Sequence, residues 1–223
     1  NTTGTANVAV GALAGDALTV GSSNVAIGYN SLSTEDGHGA NVAVGTNSLA
    51  VQNAGANGYN TAVGHNAGLS VTTAVETTLV GALAGDAITT GGYNTGFGSA
   101  ALGATTTATF NTAVGRNALG ANTTGASNVA VGGQALDANT TADNNTAVGT
   151  SSLGASTTGT SNTAVGQASL GSNTTASNNT AVGKGALTAN TTGTANTAVG
   201  TSALIANTTA NSNTAIGKDA LLA

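Results

Sequence analysis

Bulky apolar residues recur along this chain at a fixed interval. Val, Ile or Phe stands at Val10, Ile27, Val44, Val63, Val80, Phe97, Val114 and onward to Ile216, and glycine follows each one. The surrounding pentad, Asn-Thr/Val-Ala-Val/Ile-Gly in its commonest form, starts at Asn7, Asn24, Asn41, Asn60, Thr77, Asn94, Asn111, Asn128, Asn145, Asn162, Asn179, Asn196 and Asn213. Eleven of the twelve intervals are 17 residues; the one from Asn41 to Asn60 is 19, a two-residue insertion near Ala56-Asn57-Gly58. A strict period of this length is the signature of a solenoid, here a single repeat domain over residues 1–223 with no internal boundary.

Counting positions from the Asn, positions 1 to 4 predict a short strand. The glycine at position 5 (Gly28, Gly115, Gly149 and Gly183 among thirteen) predicts a turn with positive φ or a close backbone approach. Positions 8 to 11, Ala/Ser-Leu-x-Ala, predict a second strand, and Asn-Thr-Thr-Gly at 12 to 15 the turn that closes the coil. Two strands and two turns make one coil of an all-β parallel solenoid, thirteen coils of about 17 residues stacked at ~4.8 Å into a rod of roughly 58 Å. Val114, Val148 and Val182 with Leu119, Leu153 and Leu187 are the expected core. Asn ladders are expected at positions 1 and 12.

Position 9 lacks its Leu at Gly15, Gly68 and Gly85; Leu13 and Leu18 flank the first gap and Leu83 and Ile88 the third, which predicts local repacking. A Val and a Leu per coil, each contributing ~1.5–3 kcal/mol when buried, fall short of roughly 1.5 kcal/mol of ordering entropy for every residue. The chain is therefore expected to associate with itself. Position 3 is Ala in eleven repeats, and Ala113, Ala147 and Ala181 are expected on the face that meets a neighbouring chain.

Composition narrows the function. Eight acidic and three basic residues in 223 leave too little positive charge to neutralise phosphates, which excludes nucleic acid as a partner. Without cysteine there are no disulfides, no Cys-based zinc sites and no thiol catalysis. No apolar run approaches ~18 residues, so a membrane-embedded chain is not expected. His38 and His65 fall in different repeats and belong to no nucleophile pattern, so neither an enzyme nor a cofactor is expected. Glu35-Asp36-Gly37-His38, the single charged cluster, reads as a solvated turn in preference to a weak cation site, and Gly183-Lys184-Gly185 lacks the Ser/Thr of a phosphate loop. The most varied position is the sixth: Tyr29, His65, Arg116, Gln167, Lys184 and Lys218 form the row where a glycan or receptor contact is expected. Tyr59, Tyr93 and Phe110 each precede a repeat Asn and read as stacked structural residues in preference to binding platforms.

Asn24-Val25-Ala26-Ile27-Gly28 and Asn111-Thr112-Ala113-Val114-Gly115, repeated over nearly the whole chain, resemble the repeats of trimeric autotransporter adhesin heads. They are equally similar to Asn-Thr-Ala-Val-Gly repeats of phage tail fibres and bacterial surface fibres. The resemblance implies a left-handed parallel β-roll, three chains about a common axis, an extracellular place on a virion tail fibre or cell surface, and attachment as the task. The 17-residue repeat is longer than that of the adhesin heads, which implies a larger external loop. The absence of Met, the start at Asn1 in the register of position 12 and the uncapped end at Ala223 raise the expectation of a segment of a longer fibre or a unit stacking end to end. Two further readings compete with the adhesive fibre: a self-assembling extracellular filament, and an ice-binding solenoid built on Thr at position 2 in nine repeats.

Overall fold

A computed structural model describes residues 2–222; Asn1 and Ala223 lie outside the described residues. The chain is an all-β parallel solenoid of about 17 residues per coil, and among the described residues it contains no helix. It divides into a first unit ending at Asn111 and a second beginning at Thr112. Three-residue strands in the first unit are Val8–Val10, Val25–Ile27, Val42–Val44, Thr61–Val63, Thr78–Val80 and Thr95–Phe97. In the second they are Thr112–Val114, Val129–Val131, Thr146–Val148, Thr163–Val165, Thr180–Val182, Thr197–Val199 and Thr214–Ile216. Within each unit every strand pairs in parallel with its sequence neighbours, like position on like position: Val42 opposite Thr61 across the insertion, Thr146 opposite Thr163.

The strand is only the straightest part of a longer ladder. In the coil that starts at Asn145, the Gly149 N–H donates to the Val131 carbonyl at 2.7 Å and Ser151 N–H to Gly133 at 3.1 Å, both in the coil before. The direction then reverses: Leu153 N–H donates to Ser169 at 3.0 Å and Thr157 N–H to Thr174 at 2.9 Å, in the coil after.

Positions 8 to 11 are not a strand. All ten leucines of position 9 have positive φ, 50° at Leu153, and the residue two before does as well, 55° at Ser151. Left-handed residues curl the chain, so Ser152, Gly154 and Ser156 donate back three residues, to Gly149, Ser151 and Leu153. For a branched side chain this conformation costs ~1–2 kcal/mol. Complete burial of Leu119, Leu153 and Leu187 offsets it.

The two faces of the strand are the reverse of the expected ones. Ala113, Ala147 and Ala181 are fully buried within their own coils and so are not on an intermolecular face. Val114 and Val148 are half-buried and Val182 is exposed, so these valines are outside the coil and not its core. The reason is room. At Gly96, which takes the Ala position in its coil, an added methyl would lie 3.3 Å from Leu102 Cδ1; the leucine leaves space inside for one carbon.

Asparagine completes the interior. Asn162, fully buried, receives the Asn179 N–H on Oδ1 at 3.0 Å and donates Nδ2 to the Ala176 carbonyl at 2.9 Å. At position 12, Asn190 donates to Asn173 Oδ1 at 3.2 Å and to the Gly193 carbonyl at 2.9 Å. Asn162→Ala orphans the buried Asn179 N–H, at ~1–3 kcal/mol, and leaves the Ala176 carbonyl with only the Asn173 amide. Chemical denaturation is expected to show that loss, with the exposed Thr158→Ala within about 0.5 kcal/mol of the parent.

Where position 9 is glycine, position 12 turns apolar. Leu18, Val71 and Ile88 accompany Gly15, Gly68 and Gly85, and all three are buried, whereas Leu13 and Leu83 stay exposed and fill nothing. A Cβ on Gly85 would lie 2.6 Å from Leu79 and 2.8 Å from Ile88. Gly85→Leu alone is therefore expected to cost ~1–3 kcal/mol by overpacking. Adding Leu79→Ala and Ile88→Asn restores the usual plug and should recover most of that loss in the same denaturation assay.

Candidate functional site

The coil interior is complete within one chain, so the outward strand residues are surplus to its own packing. In each unit the sheet presents one column of Thr or Val from position 2 and one of Val, Ile or Phe from position 4, with no charged residue in either. Val10 is 57% exposed, Phe97 55% and Ile216 73%. The position-2 threonines, such as Thr146 and Thr163, face outward from the strand beside these apolar columns. Threonines at position 13 behave differently, for Thr157 and Thr174 donate their hydroxyls to the next coil's backbone.

Tyr29, His65, Arg116, Gln167, Lys184 and Lys218 are all exposed, one to a coil. Three grooves at the edges of the coils are lined by other residues. The row is a display of single side chains, none of which lines these three grooves.

All five aromatic residues fall in the first unit and all are exposed, between 45% at Tyr93 and 60% at Phe110. Tyr93 and Phe110, one coil apart at position 17, stack with ring centroids 4.9 Å apart and planes within 7°. Tyr59 occupies the same column two coils earlier, with Glu76 in the coil between.

The irregular part of the repeat is gathered at one edge. Glu35, fully buried at position 12, accepts the His38 backbone N–H on Oε1 at 3.0 Å and the Gln52 amide on Oε2 at 3.3 Å. His38 Nδ1 lies 3.5 Å from the same Oε1 and makes no hydrogen bond. Asp36 Oδ1 receives the Asn53 amide at 3.2 Å. Glu35, Asp36 and His38 thus bring ligand-type atoms within 4.8 Å of one another, with both Glu35 oxygens already engaged. In the next coil the insertion carries Asn57, whose Oδ1 accepts the Gly39 N–H at 3.0 Å and whose Nδ2 points to the Tyr59 hydroxyl at 3.4 Å. Beside these residues a groove of about 310 Å³ opens, lined by Ser22, Ser23, His38, Ala40, Asn57 and Tyr59 among others. The sequence gives the parts, the charged turn and the insertion; that they share one edge follows from the stacking of consecutive coils.

Asp86 and Asp137, both at position 10, have carboxyls held above the ordinary value, first by loss of solvent and against hydrogen bonds from their own and the following backbone N–H. Asp137 borders a second groove of about 440 Å³ whose lining includes Gly154 and Gly171. Comparison with protein-family models, curated proteins and solved structures finds no match.

Proposed function

We propose that the chain is a structural and adhesive fibre segment whose copies associate through the Thr/Val face of the sheet. One observation supports this reading: each unit displays a charge-free column of apolar side chains that its own core does not use. Contiguous exposed apolar surface of this kind marks an interaction site. Another solenoid with the same spacing per coil is the partner that meets such a column residue by residue. Three copies about a common axis, in a left-handed roll outside the cell on a virion fibre or bacterial surface, is the arrangement the repeat resemblance implies, and the proposal adopts it. Attachment to a glycan or receptor is the task, with no catalytic step. Light scattering on the dilute chain is expected to give three times 20.7 kDa. A folded monomer contradicts the association, and polymers of indefinite size favour a self-assembling filament.

A specific observation favours ice binding as the second reading. In the second unit five position-2 threonines, Thr146, Thr163, Thr180, Thr197 and Thr214, stand in register on a parallel sheet beside the apolar column, a regular array of hydroxyl and methyl groups at strand spacing. Inhibition of ice recrystallisation by a monomeric chain, lost on Thr163→Tyr, would establish it in place of the fibre.

A further inference from the structure

The first unit holds a groove that differs from every other edge of the repeat. Its coils carry the chain's only insertion and its only adjacent pair of acidic residues, Glu35-Asp36, and insertions in repeat proteins often map to the binding face. Tyr59, 58% exposed, forms one flank. The preceding residues of its column are Ala40 and Ser23, so no second ring from those coils stacks upon Tyr59, unlike Tyr93 under Phe110. Ser23, His38 and Asn57, which carry hydroxyl, imidazole and amide groups, line the same groove, and the Asn57 amide reaches the Tyr59 hydroxyl at 3.4 Å. No Lys, Arg, Asp or Glu lines the groove, since Glu35 is buried and both its oxygens are occupied. An anion would find no fixed positive charge there. A small apolar molecule would find only Val20 and Ala40 as aliphatic walls in an open trough.

An aromatic face beside neutral polar groups on an open surface matches a ligand that is apolar on one side and hydroxylated at its rim. We propose that this groove binds a neutral carbohydrate, with Tyr59 as the stacking platform and Ser23, His38 and Asn57 as hydrogen-bonding partners. The aromatics make the first unit the recognising part and the second unit, which has none, the spacer. The inference rests on the adhesive part of the proposed function and names its ligand class; it does not depend on the oligomeric mass.

The test is native electrophoresis of the full chain in gels cast with dextran, mannan, galactan or a β-glucan, with alginate as the acidic comparison. At least one neutral polysaccharide is expected to retard the chain. Tyr59→Ala should weaken that retardation about tenfold, the loss of one stacking contact; Tyr59→Phe should keep it, and Thr158→Ala, at an exposed turn residue of the second unit, should leave it unchanged. Circular dichroism confirms that each variant is folded. The proposal is overturned if no neutral polysaccharide retards the chain, if Tyr59→Ala migrates like the parent, or if EDTA abolishes retardation and thereby assigns the site to a cation at Glu35, Asp36 and His38. Because mass is measured separately, failure here leaves self-association standing, and a monomer that still binds leaves the groove standing.

Discussion

Gly149→Ala is expected to destabilise the second unit by about 3 kcal/mol or more, the sum of a strained φ and an overpacked contact. Gly149 has φ +132°, a region that side chains avoid, and a methyl there would meet the Gly166 carbonyl carbon at 2.6 Å. The neighbour cannot yield, because the atom in the way is backbone, and Gly166 stands in the same relation to Gly183. Stacked coils contact mainly their nearest neighbours, so the damage should start there. Limited proteolysis is expected to cut first near residue 149, and denaturant unfolding to broaden. Gly133→Ala is the control: its φ is ordinary and an added methyl meets nothing within 4 Å, so it should be neutral or slightly stabilising. Equal effects at the two glycines would refute the stacked-backbone account.

The second large effect concerns assembly. Val148→Asp, Val165→Asp and Val182→Asp together place three like charges in the outward column, where only the proposed partner could bury them. Mass is expected to fall to 20.7 kDa with the circular dichroism of the parent. Ala147→Leu should do the opposite kind of harm. Ala147 faces inward, fully buried, so the larger side chain should unfold its coil at ~1–3 kcal/mol or more. A stable, folded Ala147→Leu chain with altered mass would return the alanines to the interface.

The period, the solenoid and the turn at Gly149 are legible in the sequence because every coil must repeat the same backbone approach. The direction of the strand faces is not. Alternation places positions 2 and 4 on one side and position 3 on the other, and bulk suggests that the valines go inside. What decides is Leu153, whose positive φ brings it across the coil and leaves room opposite for one methyl. Nothing in an Ala-Leu-x-Ala stretch announces a left-handed leucine, so that segment reads as a strand. The groove was hidden for another reason. Glu35, His38, Asn57 and Tyr59 are spread over 25 positions, and only the stacking of two irregular coils puts them side by side.

The most direct test of the association face uses the absence of cysteine from this chain. Val148→Cys and Thr158→Cys each introduce one thiol, the first on the Thr/Val face and the second on an exposed turn. In the native assembly, maleimide labelling is expected to be fast at Thr158→Cys and strongly protected at Val148→Cys, with protection lost on dilution or denaturation. Labelling of both at the same rate under native conditions would contradict the claim that copies of this chain cover that face.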